Sequence, residues 1–203
     1  MIGPIYAITD PDAPHRVTAQ AMAAARGGAW AVQLRDKHAA DEDLLHLARA
    51  LLTALRPLGV KLIINDRLNV AYAADADGLH IGQGDGDPTQ ARARLGPDKL
   101  LGLSVETLAQ GAVVPACVDY IGIGPVRATS TKPGHATPLG MDGLASIVAE
   151  ARVPAFAIGG IGPGDTLAIK ETGAVGMAVV SAISRAPDPE AATRALFREW
   201  SSA

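Results

Sequence analysis

The stretch WAVQLRDKHAADEDLLHLARALLTALRPLGVKLIIN, residues 30–65, contains two short apolar segments separated by a helical pattern. The apolar segments are 30–36 and 61–65, and their length is typical of buried strands. Between them, leucines recur at helical spacing at positions 44, 47, 51 and 55, and the pattern ends at a Pro-Leu-Gly turn. This arrangement predicts two parallel strands joined by a crossover helix.

The same alternation extends over the whole chain. The eight predicted strands are 4–9, 30–36, 61–65, 78–82, 100–104, 120–124, 154–160 and 176–181. Predicted helices between or after them are 17–26, 41–59, 88–95, 106–113, 141–151, 163–172 and 189–200. Eight such units in 203 residues predict one compact (β/α)8 TIM barrel domain, residues 1–203. A doubly wound open sheet of fewer strands is the alternative.

Composition excludes several classes of protein. The chain is 48% hydrophobic and 19% charged, as globular proteins are, and its formal charge of −3 makes nucleic acid an unsuitable partner. Its single cysteine, Cys117, excludes a disulfide framework. The first ten residues lack the basic region of a signal peptide, and no apolar run is long enough to span a membrane. We therefore expect a soluble cytoplasmic protein that could form a homo-oligomer.

Polar residues follow the predicted strands. In a parallel barrel the carboxyl ends of the strands open onto one face, where active sites lie. After the second strand, Gln33, Arg35 and Lys37 occupy alternate positions, and on a strand they would share one face. Two cations and an amide at the barrel mouth predict an anion-binding site, in which Arg35 could grip two oxygens at once.

Acidic residues follow the next two strands. Asn65 and Asp66 end the third strand, and Asp85 follows the fourth. Two carboxylates beside phosphate-binding cations favour a Mg²⁺ site, because Mg²⁺ takes one or two carboxylates, waters and phosphate oxygens. The alternative is that these residues form Asx-turns and helix caps.

Two further polar residues lie on the fourth and fifth strands. His80 is either a core histidine or a hydrogen-bond partner for a ligand ring. Ser104 either caps the following helix or contacts substrate.

The last two strands predict a second anion site built from backbone. Gly159-Gly160 follows the seventh strand, and Val180 and Ser181 end the eighth, where this fold commonly binds phosphate through N–H groups. Between the two sites, the sixth strand leads into a loop carrying Thr129, Thr131 and Lys132. The loop lacks the P-loop spacing, yet its hydroxyls and lysine suit an anion. We expect this loop to contact the ligands of both anion sites.

Eight motifs in order resemble the thiamine-phosphate synthases over residues 6–183. They are YAITD, QLRDK, INDR, GLHIGQGD, GLSVET, GIGPVRATSTKPG, AIGGI and AVVSAI. The resemblance implies a (β/α)8 transferase that joins hydroxymethylpyrimidine diphosphate to hydroxyethylthiazole phosphate and releases pyrophosphate. The chain departs from the family pattern at Arg127 and Ala128, where apolar residues are expected.

The resemblance also implies a role for each matching residue. Binding of the pyrimidine diphosphate falls to Gln33, Arg35, Lys37, Asn65, His80, Ser104 and Lys132. Arg35, Lys37, Ser104 and Lys132 would act in catalysis, and Asp66 and Asp85 would hold Mg²⁺. Binding of the thiazole phosphate falls to Thr129, Thr131, Gly160, Val180 and Ser181. The alternatives are a thiazole tautomerase, a non-catalytic sensor of thiamine intermediates and a phosphosugar isomerase.

Overall fold

The computed structural model describes residues 2–129 and 136–203, and within these ranges eight strands and nine α-helices follow one another along the chain. The strands are β1 Ile5–Ile8, β2 Ala31–Leu34, β3 Lys61–Asn65, β4 Gly78–Ile81, β5 Leu100–Val105, β6 Tyr120–Ile123, β7 Ala155–Ile158 and β8 Gly176–Val179. The helices are α1 Val17–Arg26, α2 Asp41–Leu55, α3 Leu68–Ala74, α4 Pro88–Leu95, α5 Leu108–Ala112, α6 Gly140–Glu150, α7 Thr166–Glu171, α8 Ser181–Ser184 and α9 Pro189–Ser202. A short 3₁₀ turn, Arg56–Leu58, follows α2.

The strands form a closed parallel barrel in sequence order. Each strand pairs with the next, and β8 returns to β1, so that Tyr6 lies opposite Ala31 on one side and Ala178 on the other. This confirms the predicted (β/α)8 barrel and rules out the open sheet. Among residues 2–129 and 136–203, no helix combines the length and the apolar character needed to cross a membrane.

The structure corrects several element boundaries. β2 ends at Leu34, so Arg35 and Lys37 lie in the following loop and not on a strand face. Ser181, predicted as a strand residue, begins α8, because the backbone leaves the extended conformation at Val180 (φ −106°, ψ −85°). Sequence patterns missed α3 and α8, whose seven and four residues are too short for a clear helical period.

An aromatic cluster lies inside the barrel, together with aliphatic side chains. The sequence has two Trp, three Tyr and two Phe, and four of these seven pack together inside the barrel. The Tyr6 ring lies 5.8 Å from Trp30, 5.8 Å from Tyr120 and 5.5 Å from Phe156, measured between ring centroids. Edge-to-face aromatic pairs of this kind stabilise the fold beyond the area they bury. Successive side chains of a strand point to opposite faces, so the residues that alternate with these inward-facing ones pack outward against the helices.

Glycines on the inner face leave room for these rings. A Cβ atom on Gly102 would overlap the ring of Tyr120 and Nδ1 of His80. A Cβ atom on Gly176 would lie 2.8 Å from Cε1 of Phe156. Large and small residues on facing strands therefore fill the interior together.

We predict that Gly102→Ala lowers the free energy of unfolding by about 1–3 kcal/mol, because the added methyl overpacks the barrel interior. Urea unfolding of both proteins measures the change. Gly84→Ala is the matched control, since a Cβ built on Gly84 meets no atom within 4 Å, and it should change stability by less than about 0.5 kcal/mol. Equal effects of the two substitutions would contradict this account of the interior.

Candidate active site

One pocket opens at the carboxyl ends of the strands, with a volume of ≈ 1150 Å³ that includes its mouth. Twelve residues predicted from the sequence line it: Gln33, Arg35, Lys37, Asn65, Asp66, His80, Asp85, Ser104, Thr129, Gly160, Val180 and Ser181. The other two, Thr131 and Lys132, lie outside the described residues. The chain thus brings all twelve described candidates together, while their individual roles stay predictions.

The cationic side of the pocket lies at the ends of β2 and β3. Although Arg35 is in a loop, its backbone N–H donates to Oγ1 of Thr9 at 3.0 Å, which fixes the loop beside β1. The ammonium of Lys37 lies 3.7 Å from Oδ2 of Asp66, and the Lys37 side chain is about half exposed. This lysine is therefore able to contact both a carboxylate and an incoming anion.

Asp66 has an unusual backbone conformation. Its φ is +60°, in the left-handed region that residues other than glycine seldom adopt. Its N–H donates to the carbonyl of His80 at 2.9 Å, and this bond holds the turn against β4. Strained residues of this kind cluster at functional sites. Neither predicted helix cap is observed: the N-cap positions of α3 and α4 are Arg67 and Asp87, not Asp66 and Asp85.

The Asp66 and Asp85 carboxyl groups interact directly. Burial raises the pKa of Asp66 above its ordinary value of 3.8, and hydrogen bonding to Asp85 and repulsion from it raise the pKa further. Lys37 and Asn65 oppose the shift. Asp85 is itself oriented by the N–H of Gly82, which donates to its Oδ2 at 2.7 Å. Two adjacent carboxylates that compete for one proton form a site that a cation could occupy instead.

The donor set fits a hard divalent cation such as Mg²⁺. Within residues 2–129 and 136–203, no cluster of three or more His, Cys, Asp or Glu side chains could hold a metal. Two carboxylates with an open side match Mg²⁺, which keeps several waters and binds substrate phosphate oxygens. Zinc, which takes three or four protein ligands, fits these residues poorly.

A chain of hydrogen bonds crosses the floor of the pocket. Nε2 of Gln33 donates to Oη of Tyr6 at 2.8 Å, and Oη of Tyr6 lies 2.9 Å from Oη of Tyr120. Oη of Tyr120 lies 3.2 Å from Nδ1 of His80, whose Nε2 lies 3.0 Å from Oγ of Ser104. Three residues predicted separately are therefore connected through two buried tyrosines.

Sequence reasoning missed both tyrosines. Tyr6 and Tyr120 are 1% and 0% exposed, and in the sequence they resemble ordinary strand residues. One sequence feature pointed to Tyr120. It lies two positions before Gly122 on the predicted sixth strand, so the two residues face the same side of the sheet. A tyrosine inside a barrel needs a polar partner for its hydroxyl group.

The opposite side of the pocket is built from backbone. Gly159 and Gly160 have φ values of +93° and +66°, and a Cβ on Gly160 would lie 2.7 Å from the carbonyl oxygen of Ala128. The N–H of Arg127 donates to the carbonyl of Gly159 at 3.0 Å, and its guanidinium contacts both oxygens of Asp165 at 2.7 and 2.8 Å. Arg127, unexpected in the sequence pattern, thus joins the loops after β6 and β7.

The short helix α8 is held in place by contacts of the residue that follows it. Arg185, directly after it, forms an ion pair with Oδ2 of Asp10 at 3.0 Å. Asp10 is held in turn by Gln20, whose side chain accepts from its N–H at 2.9 Å and donates to its carbonyl at 2.7 Å. Ser181 begins α8 and, like Gly160, lines the pocket, so these contacts help to position one part of the pocket wall.

The fold and pocket define a class of protein: a (β/α)8 barrel whose strand ends present cations and carboxylates on one side and glycine-rich backbone on the other. The family model described as thiamine monophosphate synthase matches residues 5–183. The chain belongs to this family, whose members are transferases.

Individual relatives agree with this assignment. The thiamine-phosphate synthase of Xanthobacter autotrophicus is 48% identical over 195 residues, which cover 95% of this chain and 92% of the relative. That of Roseiflexus sp. is 43% identical over 204 residues, which cover 99% of this chain and 86% of the relative. The solved thiamine phosphate pyrophosphorylase from Pyrococcus furiosus superimposes with a TM-score of 0.89 at 30% identity, covering 98% of this chain and 96% of that one.

The carboxyl pair predicts a pH-dependent effect of Asp66→Asn in the presence of a chelator. The folded-state pKa of Asp66 is raised, so its contribution to stability is complete below 3.8 and is lost as pH rises through the folded-state pKa. Relative to wild type, the variant should therefore gain stability between acidic and neutral pH.

Urea unfolding of both proteins across this pH range measures the difference. Asp98→Asn, an exposed substitution just before β5, is the control and should show no such trend. If the free energy of unfolding of the wild type instead increased with pH relative to that of Asp66→Asn, the raised pKa would be contradicted.

Proposed function

We propose that the chain joins 4-amino-2-methyl-5-(diphosphooxymethyl)pyrimidine to 4-methyl-5-(2-phosphooxyethyl)thiazole, giving thiamine phosphate and pyrophosphate. The observation that carries the proposal is the division of one pocket into two different anion-binding sides. Arg35, Lys37 and a carboxyl pair suit a diphosphate with its cation, whereas Gly160 and the start of α8 suit a monophosphate. Membership of the thiamine monophosphate synthase family supports the same reaction.

The pyrimidine diphosphate would bind on the side formed by β2 to β5. Arg35 and Lys37 would bind the diphosphate, and Asn65 is adjacent to them in the pocket. Gln33, His80 and Ser104 lie at the pocket floor and would orient the pyrimidine ring. Lys132, from the loop after β6, is proposed to complete the set.

The thiazole phosphate would bind on the side formed by β6 to β8. The N–H groups of Gly160, Val180 and Ser181 would surround the phosphate, and Thr129 would donate its hydroxyl. Thr131 is proposed as a second hydroxyl. Backbone donors suit a group that stays bound through the reaction, because they are fixed before the ligand arrives.

The chemistry is displacement of pyrophosphate from the exocyclic methylene carbon by the thiazole nitrogen. The lone pair of the thiazole nitrogen forms the new C–N bond. The C–O bond breaks, and the electron pair of that C–O bond leaves with the pyrophosphate. The attacking nitrogen has a lone pair and no proton, so the reaction needs no general base. The protein must instead stabilise the negative charge of the leaving group, which Arg35 and Lys37 would do.

Asp66 and Asp85 would hold Mg²⁺, which supplies positive charge to the diphosphate when bound. The chain's further contribution is proximity. Both ligands would be held in one pocket with their reacting atoms facing each other, which removes much of the entropic cost of bringing them together.

The direct test mixes purified protein with both substrates, with Mg²⁺ or with chelator. Pyrophosphate and thiamine phosphate should appear in equal amounts, and chelation should abolish both. Pyrophosphate is measured by an enzyme-coupled assay and thiamine phosphate by fluorescence after oxidation. If neither product forms while thiazole phosphate still binds, the protein is a tautomerase or a sensor.

A substitution separates the two sides of the pocket. Asp85→Asn should lower kcat by about 100-fold, because the Mg²⁺ that would neutralise the leaving group is held less well, and raise the Mg²⁺ concentration needed for half-maximal rate. Thiazole phosphate affinity, measured by isothermal titration, should be nearly unchanged.

Asp98→Asn again provides the matched control, since Asp98 lies before β5 at the opposite end of the barrel. It should leave kcat and the Mg²⁺ requirement as in wild type. Equal loss of turnover and of thiazole phosphate affinity in Asp85→Asn would refute the division of the pocket.

A further inference from the structure

The hydrogen-bond chain in the pocket floor has a direction. We infer that the side-chain amide of Gln33 sets that direction, and thereby sets the tautomer of His80 and whether Ser104 presents a donor or an acceptor to the pocket. Gln33, His80 and Ser104 are then one unit, and Tyr6 and Tyr120 are positioning residues that connect them.

The direction follows from the number of protons available. Gln33 donates Nε2–H to Oη of Tyr6, so the Tyr6 hydroxyl must place its own proton elsewhere. Its other partner is Oη of Tyr120 at 2.9 Å. Tyr120 is 0% exposed, so its own proton needs a protein acceptor, and the remaining one is Nδ1 of His80. Nδ1 must then be unprotonated. The proton of the neutral imidazole is on Nε2, and this atom donates to Oγ of Ser104.

The mixed arrangement is disfavoured. If Tyr120 donated to Tyr6, then Oη of Tyr6 would receive two donors, and its own proton would have neither of these partners as acceptor. Tyr6 is 1% exposed, so water cannot readily supply one. An unsatisfied buried donor lowers the population of such an arrangement by about 10-fold or more. Burial also raises the pKa of both tyrosines well above the usual range, so each keeps its proton.

Only the fully reversed chain satisfies every group equally well. Turning the Gln33 amide over would place Oε1 against Tyr6, which would then donate to it. Tyr6 would accept from Tyr120, Tyr120 from Nδ1–H of His80, and Nε2 of His80 from the Ser104 hydroxyl. The structure has the amide in the forward orientation. One amide at one end therefore selects between two complete patterns.

The two patterns differ in what they present to a ligand. In the forward pattern, Ser104 accepts from His80 and keeps its O–H proton for the ligand, and the Gln33 amide keeps its carbonyl oxygen as an acceptor. A ring with an amino group beside an unprotonated ring nitrogen, as in an aminopyrimidine, offers the complementary donor and acceptor. This consequence for the ligand rests on the proposed function, whereas the direction of the chain does not.

The test uses the ligand-free protein at pH 8, where an unperturbed imidazole is neutral. Gln33 is 3% exposed, and burial raises the pKa of a carboxyl group, so carbon-13 NMR of the carboxyl introduced by Gln33→Glu is used to choose a pH at which that carboxyl is ionised. Nitrogen-15 NMR distinguishes protonated from unprotonated ring nitrogens of labelled histidine, and His80→Gln identifies the His80 signals among the five histidines. In wild type, Nε2–H should exceed Nδ1–H by about 10-fold or more. Gln33→Glu replaces the donor with a near-isosteric acceptor, so it should reverse the chain and convert His80 to Nδ1–H.

The double variant Gln33→Glu with Tyr6→Phe provides the control. Without the Tyr6 hydroxyl, position 33 is no longer connected to Tyr120 by hydrogen bonds. Tyr120 should then donate to His80 again, and the Nε2–H form should return. A wild-type protein with Nδ1–H, or a Gln33→Glu variant that keeps Nε2–H, overturns the inference. If Gln33→Glu does not fold, a wild-type protein with Nδ1–H still overturns the inference. Because no turnover is measured, failure here is distinct from failure of the proposed function.

Discussion

A closed barrel has to satisfy the polar atoms that it places in its own interior, and the floor of the candidate site follows from this constraint. Tyr6 and Tyr120 fill the interior with their rings, yet each brings a hydroxyl that water cannot reach. The hydroxyls bond to each other and extend to Gln33 on one side and His80 on the other. Packing at the centre of the barrel and polarity at its mouth are thus properties of the same residues.

The pocket combines two physically different ways of binding an anion. On one side the charges belong to side chains, which need one another for correct placement, as Lys37 with Asp66 shows. On the other side the donors belong to backbone, whose position is fixed by φ values available to Gly159 and Gly160 and by the ion pairs of Arg127 and Arg185. The proposed function assigns the first side to the leaving diphosphate and the second to the retained monophosphate.

The sequence was sufficient for features that depend on local pattern. Leucine spacing in α2 and the apolar strands predicted the barrel, and residues following strands predicted the pocket lining. It was insufficient where tertiary context decides. Nothing local indicates that β2 stops before Arg35 or that Asp66 takes a positive φ. The tyrosine hydroxyls meet only because residues 6 and 120 lie across the barrel from each other, and the bond between them spans 114 positions of sequence.

The pairing of β8 with β1 also has a consequence for biosynthesis. Ile5 lies opposite Met177, so the first strand made must wait for nearly the whole chain before it has its second neighbour. Until then both ends of the growing sheet are exposed edges that could pair with other chains. Helix α9, which packs on α1, emerges later still. The barrel can therefore close only when translation is almost complete.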